Sequence, residues 1–152
     1  ELVPTVKKIG GNGPIMCNAL GKHHPQISYM GALGVPTIDP VFIEMSEYVS
    51  IYSFANSGHT DALEFDDGKL MLGKMSSLNN VTYKELINNV GKDKFVSLLD
   101  EANLFATVNW SMLPHMTSLW ENILTDILPL ITPKNIKPIA SSKRLSCSCG
   151  CR

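Results

Sequence analysis

The sequence predicts an α/β protein with a mostly parallel, doubly wound sheet and a small additional β lid. Short apolar segments of strand length alternate along the chain with longer segments whose apolar residues recur at helical spacing. One strand candidate, residues 104–108, is apolar on both faces, as are the central strands of parallel sheets. A hairpin at residues 62–72 lies outside this alternation, and it predicts the lid.

The N-terminal part of the chain predicts a helix over residues 13–22 and a strand over residues 27–30. Gly13 is followed by Pro14, and proline favours the first position of a helix, where its missing N–H is not needed. The strand is short and ends at Gly31. We therefore expect the helix to begin directly after a glycine-rich turn.

The next part predicts a helix, a strand and the hairpin. Asp39 is a favoured N-cap residue, and the apolar residues between it and position 48 recur at helical spacing. Residues 49–54 have the composition of a strand. In the hairpin, Asp67 and Gly68 are predicted to supply the turn between two apolar flanks.

The following segments predict two helices and a buried strand. Thr82 and Glu85 have the spacing of a capping box, which predicts a helix that begins after Thr82. A second helix is predicted around residues 95–99. The strand at 104–108 comes next, so the order of elements returns to the α/β pattern.

The last helix of the pattern spans residues 117–131 and carries one apolar stripe. The stripe consists of Leu119, Trp120, Ile123, Leu124, Ile127 and Leu128. Residues 136–140 are the only candidate for a further strand. Pro138 has no N–H to donate to a sheet, so this strand is predicted to lie at an edge.

The length of the chain indicates a single domain, since 152 residues are enough for one hydrophobic core. The net charge is −1, so neither nucleic acid nor a membrane surface is predicted as a partner. The chain contains no apolar run of membrane-spanning length and opens without a basic-then-apolar signal pattern. Because its body also lacks a disulfide framework, which fits a reducing cytoplasm, a cytoplasmic protein is predicted. Because it begins at Glu1 without a methionine, we interpret the chain as a fragment or a processed piece.

Residues 1–133 are predicted to form one partial α/β domain, with the lid strands within about residues 49–75. Residues 134–152 are basic, rich in serine and cysteine and poor in aliphatic residues, so they are predicted to be poorly ordered. Three cysteines alternate between positions 147 and 151, but three thiols without a fourth ligand nearby make a poor zinc site. No metal-binding residue is therefore predicted.

The other candidate reactive residues are assigned structural roles. Cys17 is predicted to be a buried, small apolar residue, and the absence of a disulfide framework fits a reducing compartment. His59 is predicted to be a solvated loop residue, and Asp66 and Asp67 are assigned to turn chemistry. The two tryptophans, at positions 110 and 120, are expected to pack rather than to stack on a ligand.

The glycine-rich turn at residues 10–14 is the strongest candidate binding feature. Gly10 and Gly11 can adopt positive φ without steric cost, so the backbone can approach a ligand closely there. Free amides at the start of the following helix can hold oxygen atoms. The alternative is a tight turn that binds nothing, and the residues of the turn leave both interpretations open.

Several motifs, taken in order, resemble the ribokinase (PfkB) family of sugar kinases. They are Gly10-Gly11-Asn12-Gly13-Pro14, Ala19-Leu20-Gly21, residues 27–34, residues 58–70 and residues 102–109. In that family a Gly-Gly turn and a helix are followed by a strand that ends in a Gly-x-x-Gly element. The resemblance covers about residues 6–131 and implies a Rossmann-like sheet of the ribokinase type, of which this chain holds an incomplete part.

The resemblance implies phosphoryl transfer from ATP, with Mg²⁺, to a hydroxyl group of a sugar or nucleoside. The substrate-binding residues that it implies are Gly10, Gly11 and Asn12 in the turn, and Asn109 after the strand at 104–108. The family's catalytic base is the aspartate of a Gly-Ala-Gly-Asp sequence, which is absent from this sequence. No catalytic, ATP-binding or Mg²⁺-binding residue is therefore assigned, and this chain alone is expected to have no kinase activity.

Two hypotheses stay open. The chain is either the substrate-side portion of an ATP-dependent sugar or nucleoside kinase, or a non-catalytic α/β module that binds a small polyol or a protein partner. The resemblance further implies that the hairpin covers the sugar and can join two copies of the chain in a homodimer. A downstream Gly-Ala-Gly-Asp sequence in the intact reading frame would favour the kinase.

Overall fold

The computed structural model describes residues 5–23 and 26–131, and the backbone of residues 137–140. Its α-helices are α1 (Asn12–Gly21), α2 (Tyr83–Val90), α3 (Lys92–Glu101) and α4 (Met116–Asn122). Its strands are β1 (Ile27–Ala32), β2 (Val49–Ala55), β3 (His59–Phe65), β4 (Gly68–Lys74), β5 (Leu104–Thr107) and β6 (Lys137–Ala140). The α/β class predicted from the sequence is confirmed.

Strands β1 and β2 form a parallel pair with both faces covered. Ile27 lies opposite Val49 in this pair. Side chains alternate across the pair, so Tyr29 and Val49 contribute to a core on one face, whereas Met30 and Phe54 contribute to a core on the other. Coverage on both faces is typical of parallel strands, and it explains why these segments contain so few charged residues.

Two separate cores occupy these faces. The larger core joins β2 to α2, α3 and α4, and its buried members are Phe54, Ala55, Val81, Leu86, Phe95, Leu99, Leu119, Ile123 and Ile127. The smaller core lies beside α1, and its buried members are Cys17, Leu33, Phe42, Met45 and Val49. Cys17 is therefore buried as predicted, and this burial raises the pKa of its thiol.

A second parallel pair is formed by β5 and β6, with Leu104 opposite Lys137 and Thr107 opposite Ala140. The predicted strand at 136–140 is thus confirmed. Within the described residues, each of the three sheets has two strands, and β5 is not hydrogen-bonded to β2. Parallel strands are therefore confirmed, whereas one continuous, doubly wound sheet stays a prediction.

The prediction that the 104–108 strand is buried on both faces is wrong. Thr107 is buried, whereas Leu104 on the opposite face is 55% exposed. The reason is that α4 covers one face of β5, where the Trp120 indole N–H donates a hydrogen bond of 3.1 Å to Thr107 Oγ1. No described element buries Leu104 or Ala106 on the other face.

Strands β3 and β4 form an antiparallel hairpin that is separate from both parallel pairs, as predicted. Phe65 pairs with Gly68, so the two-residue loop consists of Asp66 and Asp67, one position earlier than the predicted turn. Neither aspartate has a positive φ, so the turn does not need the Asp-Gly sequence. β2 belongs to the parallel pair, and the separate hairpin is therefore shorter than the range of 49–75 assigned to the lid.

The predicted helix after Asp39 is a 3₁₀ helix, Pro40–Glu47, rather than an α-helix. Its N-cap is as predicted, because Asp39 Oδ1 accepts a hydrogen bond of 3.1 Å from the Val41 N–H. Thr82 likewise caps α2, since its Oγ1 accepts from the Glu85 N–H at 3.2 Å. The capping box is only half formed, because the Thr82 N–H donates to the Asn80 carbonyl.

The predicted helix at 117–131 changes its hydrogen-bonding pattern along its length. α4 is followed by a π-helical turn at Ile123–Ile127 and a 3₁₀ turn at Leu128–Leu130. The buried stripe consists of Met116, Leu119, Ile123 and Ile127. Leu124 and Leu128 were predicted on this stripe and are exposed instead, because the residues four apart already fill the face that meets the core.

No helix within the described residues is long and apolar enough to cross a membrane. The cytoplasmic location stays a prediction. The expected disorder of residues 134–152 also stays a prediction, since apart from β6 these residues, including the three alternating cysteines, lie outside the described part of the chain.

We expect Ile123→Ala to lower the free energy of unfolding by about 2–5 kcal/mol, because it leaves a cavity in the larger core. Ile123 is 1% exposed, whereas its neighbour Leu124 is 51% exposed. Leu124→Ala should therefore cost no more than about 1 kcal/mol. Urea denaturation followed by circular dichroism measures both, and equal losses would contradict the arrangement of this helix.

Candidate functional site

The candidate site is an open cleft of about 2270 Å³ that is lined by β1 and β5 along their whole length, including their carboxyl ends. Pockets for small molecules usually have about 300–1,000 Å³, and this cleft is larger because it opens to solvent and reaches the larger core. Open α/β sheets bind ligands at the carboxyl ends of their strands. The four predicted substrate-binding residues, Gly10, Gly11, Asn12 and Asn109, all border this cleft.

The glycine turn presents backbone donors to the cleft. Gly11 has φ 84° and ψ 141° and is the N-cap of α1, and the Ile15 N–H donates a hydrogen bond of 3.1 Å to its carbonyl. The positive φ predicted for this turn is thus confirmed at Gly11, although Gly10 does not share it. Pro14 is the third residue of α1 rather than the first, a position where an N–H is still not needed.

The amides of Asn12 and Gly13 are the donors that remain at the start of α1. Both residues precede Ile15, whose N–H donates the first hydrogen bond of the helix, and no described side chain caps their N–H groups. Backbone N–H groups in this position suit neutral hydroxyl oxygens as well as anions, because the donor is fixed and partly positive. The turn can therefore hold an oxygen-rich ligand, while its role in binding stays a prediction.

The backbone conformation at position 109 favours asparagine whether or not a ligand binds there. It follows β5 with φ 70° and ψ 30°, the left-handed conformation that asparagine tolerates better than other residues with a side chain. Its carbonyl accepts a hydrogen bond of 3.1 Å from the Met112 N–H, which begins the 3₁₀ segment Trp110–Met112. Among the described residues, no hydrogen bond engages its side-chain amide, and Asn109 borders the cleft.

The tryptophans hold this loop in place. The Trp110 ring stacks on the Trp120 ring with centroids 6.2 Å apart and an interplanar angle of 17°, and Phe105 meets Trp120 edge-on at 5.6 Å. These are packing contacts, as predicted, and neither indole borders the cleft. They fix the backbone that carries Asn109.

Tyr29 lies beneath the glycine turn, a contact that the sequence analysis missed. A Cβ added at Gly13 would lie 2.9 Å from the Tyr29 hydroxyl oxygen, and one added at Gly31 would lie 2.5 Å from it. Both glycines therefore provide space for the tip of the tyrosine rather than backbone freedom. The detectable signal was glycine inside a strand, which commonly marks a close approach.

A charged cluster at the base of the hairpin was also missed. Asp61 Oδ1 lies 2.6 Å from His59 Nε2, and Asp61 Oδ2 lies 2.7 Å from Lys74 Nζ. His59 is exposed, as predicted, but it is the first residue of β3 and has a carboxylate partner, so its assignment to a loop is wrong. Hydrogen bonds from Lys74 and then His59 lower the pKa of the Asp61 carboxyl.

Within residues 5–23 and 26–131, no three side chains of His, Cys, Asp or Glu are placed so that they could hold a metal ion. In the His59–Asp61–Lys74 cluster, the Lys74 ammonium group pairs with the Asp61 carboxylate. The cluster is therefore a salt bridge rather than a set of metal ligands.

Comparison with known proteins adds a family relationship. Residues 1–137 match the family model for prokaryotic ketohexokinase. A curated ketohexokinase from Haloferax volcanii is 27% identical to the chain over 125 residues, which cover 82% of this chain and 33% of that protein. The chain thus spans about a third of the length of this relative. No solved structure matches the chain significantly.

We expect Lys74→Ala to raise the pKa of Asp61 towards its ordinary value, because the strongest hydrogen bond to the carboxylate is lost. The pKa in the folded chain is lowered, so any stabilisation from this cluster is present at neutral pH and is lost as the pH falls through the folded value. An NMR titration of the Asp61 side-chain carboxyl carbon measures the change. Lys69→Ala, which removes a lysine opposite Glu64, is the matched control and should leave this pKa unchanged.

Proposed function

The chain belongs to the prokaryotic ketohexokinase family, and we propose that it is the sugar-binding portion of an ATP-dependent kinase that phosphorylates a ketohexose hydroxyl. Membership confirms the resemblance to carbohydrate kinases. The sugar, rather than a nucleoside, is the proposed substrate because the family model and the curated relative are both described as ketohexokinases.

One observation carries the proposal at the level of the site. The glycine turn and Asn109, which are far apart in sequence, border one cleft. The turn offers N–H donors, and an asparagine amide both donates and accepts, so together they match the mixed donor and acceptor character of sugar hydroxyls. A hexose would occupy only part of the cleft, at the end formed by the turn.

ATP and Mg²⁺ are part of the proposal because of the family relationship, and no residue of this chain is assigned to either. The described residues contain no cluster that fits a metal ion, and the sequence contains no Gly-Ala-Gly-Asp. We therefore derive no step through these groups. The proposed task of the chain is to bind and orient the sugar, which is a large part of catalysis in phosphoryl transfer.

Isothermal titration calorimetry with D-fructose tests the proposal, with adenosine as the nucleoside comparison. Saturable binding of D-fructose and none of adenosine is the expected result. If no ketohexose binds, the sugar-binding assignment is wrong and the non-catalytic alternative with a protein partner gains support. An ATP-coupled assay with D-fructose on the full-length protein then tests phosphoryl transfer itself.

We expect Gly11→Val to weaken D-fructose binding by at least about tenfold, which corresponds to 1.4 kcal/mol. The branched side chain would block the backbone approach at the turn and strain a position with φ 84°. Calorimetry measures the affinity, and thermal denaturation measures the stability.

Gly91→Val is the matched control for this variant. Gly91 is the N-cap of α3 with φ 88° and ψ 141°, nearly the same backbone conformation as Gly11, and it does not border the cleft. It should lower the stability to a similar extent and leave the affinity for D-fructose unchanged. Equal losses of affinity in both variants would mean that strain, not contact, explains the effect.

The hairpin is proposed to act as a lid and as the contact between two copies of the chain. Leu63, Phe65, Leu70 and Leu72 lie on one of its faces, and all four are exposed. Four large apolar side chains that are exposed side by side form an apolar patch, and exposed apolar patches mark interaction sites. The second hypothesis from the sequence is a non-catalytic module that binds a small polyol or a protein partner. Its protein-binding part is compatible with the kinase if the partner is a second copy, whereas its non-catalytic part is not.

We expect the double substitution Phe65→Ser and Leu70→Ser to shift the protein towards the monomer in sedimentation equilibrium, since it removes the centre of this apolar face. Met71→Ser is the control, because Met71 is 57% exposed and pairs with Ala62 on the opposite face. A monomeric parent protein, or an equal shift with Met71→Ser, would contradict the proposed contact.

A further inference from the structure

Tyr29 differs from the other tyrosines in where its hydroxyl lies. The side chain leaves β1 on the same face as Gly31, packs against the smaller core and ends between Gly31 and Gly13. Gly13 is the second residue of α1, so the hydroxyl lies at the start of that helix, beside the turn that precedes it. Tyr29, Gly13 and Gly31 all border the cleft.

The hydroxyl has no hydrogen-bond partner among the described residues. No described side chain or backbone group donates to it or accepts from it, and the residue is only partly buried. The hydroxyl oxygen is not among the fully buried polar atoms that lack a partner, and Tyr29 borders the cleft, so the oxygen is accessible from the cleft. A ligand hydroxyl can therefore reach it there without opening the core.

Packing alone does not require the hydroxyl group. A phenylalanine at position 29 would fill the same space without placing a polar atom between two glycines. Gly31 also lies inside a strand, where glycine weakens the structure, and a Cβ there would collide with the hydroxyl oxygen at 2.5 Å. Ring carbons of Tyr29 lie about as close to the added Cβ atoms, so the two glycines leave room for the tip of the ring together with its hydroxyl group.

We infer that the Tyr29 hydroxyl is a ligand contact on the floor of the glycine-turn site, where it exchanges a hydrogen bond with a hydroxyl group of the bound sugar. The inference rests on the proposed function, and it adds a side-chain contact to the backbone donors of the turn. The bound oxygen would complete the hydrogen bonding that the described residues leave open.

The ionisation state of the phenol suits a neutral polyol. Burial and, secondarily, the nearby Cys17 thiol raise the pKa of Tyr29 well above its ordinary value. The phenol therefore stays protonated at neutral pH and can donate one hydrogen bond while it accepts another. A sugar hydroxyl has the same dual character, whereas a carboxylate or a phosphate can only accept from it.

Tyr29→Phe in the full chain tests the inference, because it removes one oxygen atom and leaves the ring in place. We expect the affinity for D-fructose in calorimetry to fall by about threefold to tenfold, with a thermal midpoint close to that of the parent. Tyr48→Phe is the matched control, since Tyr48 lies outside the cleft, and it should not change the affinity.

A series of monodeoxy derivatives of D-fructose provides the second measurement. The derivative that lacks the sugar hydroxyl bound by Tyr29 should have the same affinity for the parent protein and for Tyr29→Phe. Every other derivative should bind the parent protein more tightly than Tyr29→Phe. Parent-like affinity of Tyr29→Phe for D-fructose would overturn the inference and leave the proposed function intact. Failure of the parent itself to bind any ketohexose would overturn both, so the two failures are distinguishable.

Discussion

The parallel pairing of β1 with β2 is the constraint on which the rest of the structure depends. Because side chains alternate along a strand, this one pair supplies apolar residues to two cores on opposite faces. One core holds α1 against the pair, and the other holds α2, α3 and α4. The position of α1 then brings its first turn to Gly31, near the end of β1, where the cleft lies.

Glycines at the site perform two different physical tasks. Gly11 is required for its backbone conformation, since φ 84° is rarely adopted by residues with a side chain. Gly13 and Gly31 have ordinary φ values and are required for space, because Tyr29 occupies the volume that a Cβ would need. A glycine-rich motif can therefore combine close backbone approach with room for a neighbouring side chain, and only the second task involves a residue outside the motif.

The hairpin combines an apolar outer part with a charged base on the same face. Its apolar residues lie towards the tip, whereas His59, Asp61 and Lys74 lie where the strands join the rest of the chain. Exposed ion pairs contribute little to stability, so the cluster is better understood as an aid to orienting the two strands at the edge of the cleft. The apolar part is exposed.

The order and type of the elements could be predicted from the sequence, because local signals decide them. Asp39 and Thr82 cap their helices, and Gly11 adopts positive φ, through interactions within a few residues. The hairpin was also predicted, although its loop lies one residue earlier than the predicted turn. This difference moves the cross-strand pairing by two residues, so it does not change which side chains share a face.

The tertiary structure alone decided burial and contact. Leu104 and Leu124 are as apolar as their buried neighbours, yet each is exposed because a strand or helix is covered only where another element packs on it. The Tyr29 hydroxyl meets Gly13 through a contact between a strand and a helix, and neither residue indicates the other in the sequence. Apolar patterns specify which residues can be buried, whereas the packing of distant elements determines which of them are and which polar groups reach the cleft.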